Sequence, residues 1–343
     1  MRSSILLILS FVTVLVGQPS FTKIDIYSGV STVRCVYSAD MDNDGDLDLI
    51  SINWLNGKIY WYENNGASDP SFTAIHIGTR INGTYVFPAD MDNDGDVDII
   101  SSSYGDNAIA WYENDGAADP SFTAANIATN AMAAMSVFAA DMDNDGDMDI
   151  VSASTNDDTI AWYENDGEAD PSWTASDIAT DADYAESVFA ADMDNDGDMD
   201  IVSASAYDDT IAWYENNGAS DPSWTASDIA TDAENATSVF AADMDNDGDM
   251  DIVSASTNDD TIAWYENDGE ADPSWTASDI ATDADYAESV FAADMDNDGD
   301  MDIVSASAYD DTIAWYENNG ASDPSWTASD IATSADYATS VFA

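Results

Sequence analysis

Six nine-residue stretches of this chain carry aspartate at every odd position. They comprise Asp40, Asp42, Asp44, Asp46 and Asp48; Asp90, Asp92, Asp94, Asp96 and Asp98; Asp141, Asp143, Asp145, Asp147 and Asp149; Asp192, Asp194, Asp196, Asp198 and Asp200; Asp243, Asp245, Asp247, Asp249 and Asp251; and Asp294, Asp296, Asp298, Asp300 and Asp302. Carboxylates at positions 1, 3, 5 and 9 of such a stretch can converge on one point. Glycine at position 6 permits the sharp turn, and the backbone carbonyl at position 7 adds an oxygen. A flexible ring of hard oxygen ligands suits Ca2+, whereas Mg2+ prefers a smaller octahedron and keeps its waters. The alternative, a solvated acidic turn, would pile uncompensated charge within a few ångströms six times over. The expectation is one Ca2+ per loop, six in the chain. An EF-hand would need a bidentate Glu at position 12 and flanking helices. Position 12 is serine in every copy, as at Ser51 and Ser203, and an Ile-Val-Ser-type strand surrounds it.

Other reactive residue types are scarce. His76 is the sole histidine and has no counterpart in the other repeats, so it reads as a structural strand residue. Cys35 is the only cysteine, which excludes an internal disulfide framework and reads as a buried strand position. Carboxylate pairs are everywhere and so do not single out a general acid or base. No catalytic residue is assigned, and the chain is expected not to be an enzyme.

The loops must be held by something, and the chain supplies it as a repeat. Units begin at Asp40, Asp90, Asp141, Asp192, Asp243 and Asp294. In the fourth unit Ser187–Ala190 leads into the loop, and Asp200–Ser205, Thr210–Glu215 and Ser223–Ile229 follow. Each run is β-branched or aromatic and is bounded by Asp, Asn, Gly or Pro, which predicts four short strands; no helical period is present. Four antiparallel strands at this repeat length make one blade of an all-β propeller. Ten of the eleven Trp fall in two repeated slots, as at Trp162 and Trp173, and are expected to pack blade against blade.

Strand order predicts six complete blades plus a partial seventh. The chain opens on a lone fourth strand, Ser20–Ile26, and stops on a lone first strand, Ser340–Ala343. On this count the chain is a truncated product of a longer reading frame, the alternative being a six-bladed ring with frayed ends. Ser136–Thr231 recurs unchanged as Ser238–Thr333, which argues against specialised chemistry in any of those blades.

Composition limits the partners. Seventy acidic residues against five basic ones give a net charge of −65, and no Lys or Arg follows Arg80. Such a field repels nucleic acid and anionic lipid. Hydrophobic residues make up 45% of the chain, ample for a packed core and against disorder. Arg2 followed by the apolar run Ile5–Val16 reads as a secretory leader over residues 1–17, too short to span a bilayer. The mature body is then 18–343, secreted or at the cell surface, without membrane insertion.

With these residues in place, the chain resembles the FG-GAP/VCBS repeat family, which includes the integrin α-subunit propeller. The likeness rests on the Asp-x-Asp-x-Asp-Gly-x-x-Asp loops and the Trp-Tyr-Glu-Asn run after the third strand. It implies Ca2+ in the loop between strands one and two, and typically seven blades. The Phe-Gly and Gly-Ala-Pro landmarks of integrin repeats are absent, so an integrin-type partner does not carry over.

Alternating strand direction puts the aspartate loops and the Glu-Asn-Asp-Gly turns on one face. Variation between repeats gathers on the other, around Trp54, Tyr104, Tyr207, Tyr184 and Glu234. Asn82 and Asn235 are glycosylation acceptors at one blade position. The expected role is an extracellular adhesion or recognition scaffold for protein or glycan. The alternatives are a calcium-dependent lectin or non-catalytic module of a polysaccharide-degrading enzyme, and a structural or calcium-buffering surface protein. The sequence leaves the oligomeric state open.

Overall fold

The structure is a computed structural model that describes residues 6–10, 21–27 and 32–343. Each repeat folds as a four-stranded antiparallel sheet whose strands lie in chain order. In the fourth repeat they are Ala185–Ala191, Asp200–Ser205, Thr210–Asn216 and Trp224–Ala230, the anticipated segments with ends moved by a residue or two. Six such sheets, over residues 33–79, 83–128, 134–179, 185–230, 236–281 and 287–332, form the blades of a six-bladed β-propeller.

Composition tracks position in the blade. Asp200–Ser205 is buried throughout, because each second strand is covered on both faces by neighbouring blades. Trp224–Ala230 lies on the outer rim and is mostly exposed, which accounts for its Thr, Ser and Asp. The core is consequently a series of layers between blades. Val151, Ile160 and Trp162 of the third blade pack on Ala185, Val188 and Ile201 of the fourth. Full burial of each large aliphatic side chain contributes about 1.5–3 kcal/mol. As expected, the tryptophans bridge blades: Trp162 meets Trp224 edge-to-face at 6.5 Å, and Trp213 meets Trp275 likewise.

Around the axis, one aromatic from each innermost strand touches the next. Tyr37, Phe87, Phe138, Phe189, Phe240 and Phe291 follow one another at ring separations of 4.5 to 5.1 Å. Phe342 closes the girdle, 4.6 Å from Phe291 and 4.5 Å from Tyr37.

The ends of the chain differ from the strand count. A partial seventh blade is not formed as a sheet. Ser340–Ala343 has no strand structure, and Phe21–Asp25 pairs antiparallel with Leu6–Ser10 in a separate two-stranded sheet. A first strand without a second has no ladder partner for its backbone N–H and C=O groups. Segment 339–343 is held instead by side-chain bonds. Thr339 Oγ1 donates to Val33 O at 2.8 Å, and Val36 N donates to Ser340 Oγ at 3.4 Å. Phe21 packs edge-to-face on Trp315 at 6.0 Å, as the rim tryptophans do elsewhere. Leu6–Ser10 falls within the expected leader, and the rest of residues 1–17 lies outside the described residues.

Candidate metal centres

Each aspartate loop joins the first strand of its blade to the second. In the first loop Asp40 folds the turn on itself: its Oδ1 accepts from Asp44 N at 3.1 Å and its Oδ2 from Gly45 N at 2.9 Å. Gly45 sits at φ 93°, a conformation closed to most side chains, which is why position 6 is glycine. The pattern recurs through to Asp298 N and Gly299 N on Asp294.

This folding gathers positions 1, 3 and 5. One oxygen from each of Asp40, Asp42 and Asp44 lies within 4.8 Å of the other two, and Asp90/92/94, Asp141/143/145, Asp192/194/196 and Asp243/245/247 repeat the cluster; the described residues hold six such groups. Asp42 Oδ1 is buried without any hydrogen-bond partner. Burial, then repulsion from Asp44 and Asp40, raises the Asp42 carboxyl above the ordinary range. At Asp245 the same causes push it up to about 6. Three converging carboxylates, one with an orphaned oxygen, fit a hard divalent cation such as Ca2+.

Position 9, also expected to supply an oxygen, lies outside the groups of three and is engaged by donors of the protein. Asp48 is fully buried, and both its oxygens are engaged: Oδ1 accepts from Asn64 N at 2.7 Å, and Oδ2 from Trp61 Nε1 at 2.8 Å and Met41 N at 3.2 Å. It ties the loop to the third strand and the turn beyond it. Burial pushes its carboxyl up to about 6 against those three donors, and Asp98, Asp149, Asp200 and Asp251 up to about 7. Trp111 Nε1 donates likewise to Asp98 at 2.9 Å. In the later blades the indole N–H groups of Trp162, Trp213, Trp264 and Trp315 miss hydrogen-bond geometry, though Trp162 is still close enough to favour the ionised form of Asp149.

Position 7 is oriented by neighbours on both sides. The Asp198 carboxylate abuts Gly218, whose φ of 62° and lack of a side chain make the approach feasible. Asp198 Oδ1 also accepts from Asn144 Nδ2 of the preceding loop at 2.6 Å. Burial, then repulsion from Asp196 and Asp192, raises the Asp198 carboxyl, so its side chain stays beside the cluster, and the backbone carbonyl is a further oxygen this position can offer. Close approach of Gly66 to Asp46 also places the aspartate loops and the third-to-fourth turns on one face, as strand alternation required.

Sequence reasoning overlooked two features. The position-4 asparagine is visible in every loop, but its acceptor lies one blade away. Arg34, Glu186 and Glu288, from three blades, meet inside the central channel, where Arg34 Nη1 donates to Glu288 Oε2 at 3.0 Å. His76 is exposed and shares a 3.1 Å hydrogen bond with Thr79. Cys35 is buried, its thiol donating to Val86 O and pushed up to about 12 by burial, as a structural thiol should be.

A model of the FG-GAP-like repeat matches residues 40–101, 90–152, 141–203, 192–254 and 243–305. No curated protein matches the chain. Among solved structures, an Agrocybe aegerita lectin that recognises non-reducing terminal N-acetylglucosamine aligns with a TM-score of 0.65 at 18% identity, covering 93% of this chain and 87% of its own. A putative 6-phosphogluconolactonase from Bacteroides fragilis aligns at 0.63 with 12% identity, over 95% and 90%. Virginiamycin B lyase from Staphylococcus aureus aligns at 0.58 with 11% identity, over 87% and 83%. At these identities the likeness is one of fold.

Proposed function

This chain belongs to the FG-GAP-like repeat family, and from that premise we propose that it is a secreted, non-catalytic recognition scaffold stabilised by Ca2+. The observation that carries the reading is the recurrent aspartate cluster, in whose first copy Asp42 Oδ1 is buried and unpartnered. Asp40, Asp42, Asp44 and the Asp46 carbonyl would hold the ion in the first loop, and the matching residues in the others, with Asp48 bracing the loop from behind. Bound Ca2+ supplies charge neutralisation and no redox or nucleophilic chemistry. Six such ions would bring the charge from −65 to about −53, so screening by extracellular salt also favours the fold. The leader reading of residues 1–17 supports export.

The test is removal of the ion. Chelation should lower the melting temperature and expand the protein, and calorimetric titration should register uptake near six ions per chain. An unchanged melting curve with no uptake would remove the basis of the proposal.

A second reading is favoured by one comparison. The N-acetylglucosamine-binding lectin has the same fold over most of both chains, which supports a glycan as ligand. A glycan array run with and without chelator distinguishes this from protein recognition.

A further inference from the structure

The channel end away from the aspartate loops has a construction that neither the calcium reading nor the comparisons explain. The first strand of each blade carries a register shift near its start, as between Ala185 and Ser187 and between Ala287 and Ser289. Bulges of this kind re-aim a side chain. Here they turn Glu186 and Glu288 toward the axis, and in the first blade, between Val33 and Cys35, Arg34. The three line a cavity of about 70 Å3 floored by the aromatic girdle. Arg34 is held by Glu288 at 3.0 Å but lies 3.9 Å from Glu186. One guanidinium thus faces two carboxylates, and Glu186 is the less firmly paired.

Near these carboxylates stand two tyrosine pairs, in each of which one ring is half-buried and the other exposed. Tyr184 stacks on Tyr207 at 4.2 Å and 14°, and Tyr286 on Tyr309 at 4.3 Å and 17°. Tyr207 is 64% exposed and presents an open face to solvent, while Tyr309, 58% exposed, is also met by Tyr337 at 6.0 Å. Tyr184 and Tyr286 occupy left-handed backbone at φ 63° and 62°, where the second and fifth blades place Asn82 and Asn235. Asparagine adopts that conformation more readily than a bulky ring does. The tyrosines therefore occupy positions where the fold alone favours asparagine, each two residues from a channel carboxylate.

We propose that this mouth binds an alkylammonium group, with the tyrosine faces receiving the cation and Glu186 neutralising it. Aromatic faces over a desolvated carboxylate attract organic cations, and the charge of −65 draws cations to the mouth. The group could be a lysine side chain of a partner protein or a free amine. The proposal deepens the recognition reading by naming the ligand chemistry, and it does not depend on calcium occupancy.

The test is calorimetric titration, in calcium and physiological salt, with Nα-acetyl-lysine methylamide and its neutral analogue Nα-acetyl-norleucine methylamide. The lysine probe should bind and the norleucine probe should not. The variants Tyr184→Asn with Tyr286→Asn, and Glu186→Thr, adopt residues that sibling blades carry at Asn82, Asn235 and Thr237. They should keep or raise the melting temperature while weakening the lysine probe about tenfold or more. Glu168→Gln, on the exposed surface, should leave binding unchanged. Tighter binding by a glycine-flanked lysine peptide than by butylamine would identify a protein as the source, and equal binding a small amine. Equal affinity for both acetyl probes, insensitivity to the mouth variants, or binding of a neutral methyl glycoside in their place would overturn the proposal. Chelation-dependent melting, measured separately, would stand in each of those cases.

Discussion

Asn43 of the first aspartate loop donates from Nδ2 to Asp96 Oδ1 of the second at 2.7 Å, so neighbouring loops are joined directly through side chains. Asn93 repeats the bond to Asp147, Asn144 to Asp198, Asn195 to Asp249 and Asn246 to Asp300, at 2.6 to 2.8 Å. The loops form a linked series around one face, and a change in one is transmitted to the aspartate that shapes the next.

Asn144→Ala removes one link. The expected cost is about 0.5–1.5 kcal/mol, the net worth of an ordinary hydrogen bond, read as a lower melting temperature. Calcium titration should also show weaker uptake, because Asp198 loses the contact that fixes its carboxylate beside the cluster. Unaltered uptake would mean that the links are structural only.

Gly218→Ala should destabilise by more than 1 kcal/mol. The new methyl must adopt φ 62° and would press on the Asp198 carboxylate. In the double variant with Asn144→Ala the two costs should sum to less than their parts, since both act by displacing Asp198. A thermodynamic cycle measures this, and strict additivity would separate the two contacts.

Asp149→Ala leaves Met142 N and Asn165 N, which now donate at 3.1 and 2.8 Å, without acceptors inside the blade. Each buried orphan costs about 1–3 kcal/mol. Asp149→Asn keeps one acceptor oxygen. In metal-free protein below about pH 7 it should be the milder change, because burial already favours the neutral carboxyl there. Denaturant unfolding of the two variants should rank them in that order.

Metal-free protein should lose stability as pH rises from about 4 to about 7. Asp98, Asp149, Asp200 and Asp251 are raised to about 7, and Glu186 is raised to about 7 by burial. A carboxyl with a raised folded pKa binds more protons folded than unfolded, so its contribution is complete below the unfolded value and gone above the folded one. Stabilisation by added calcium should be larger at pH 8 than at pH 5, since the raised cluster carboxyls, Asp42 and Asp245 among them, take up protons in competition with the ion. A melting-temperature series at both pH values, with and without chelator, tests both signs.

Much of this was legible in the residues. Asp200–Ser205 was bounded correctly because it is a β-branched run between an aspartate loop and a polar turn, and strand formation follows such local pattern. The burial of Cys35 followed from its being a lone thiol in a strand, and the cross-blade role of Trp162 from repeated placement. The second role of Asp48 was not legible. In sequence it is one more aspartate at ligand spacing, and only its buried donors show that it braces the loop. The partial seventh blade is not formed for a related reason. Ser340–Ala343 has the residues of a first strand but no ladder partner, and pairing is a property of two segments.

By itself the sequence determined the repeat unit, the strands within it, the turn at each glycine and the supply of aspartate oxygen, since all of these depend on contacts between residues close along the chain. The tertiary structure alone decided that Asn43 would meet Asp96, that Phe342 would complete the girdle, and that Arg34 would reach Glu288 from the opposite end of the chain. Those pairings exist only once the blades have closed around a common axis, and no spacing within one repeat encodes where that closure brings its side chains.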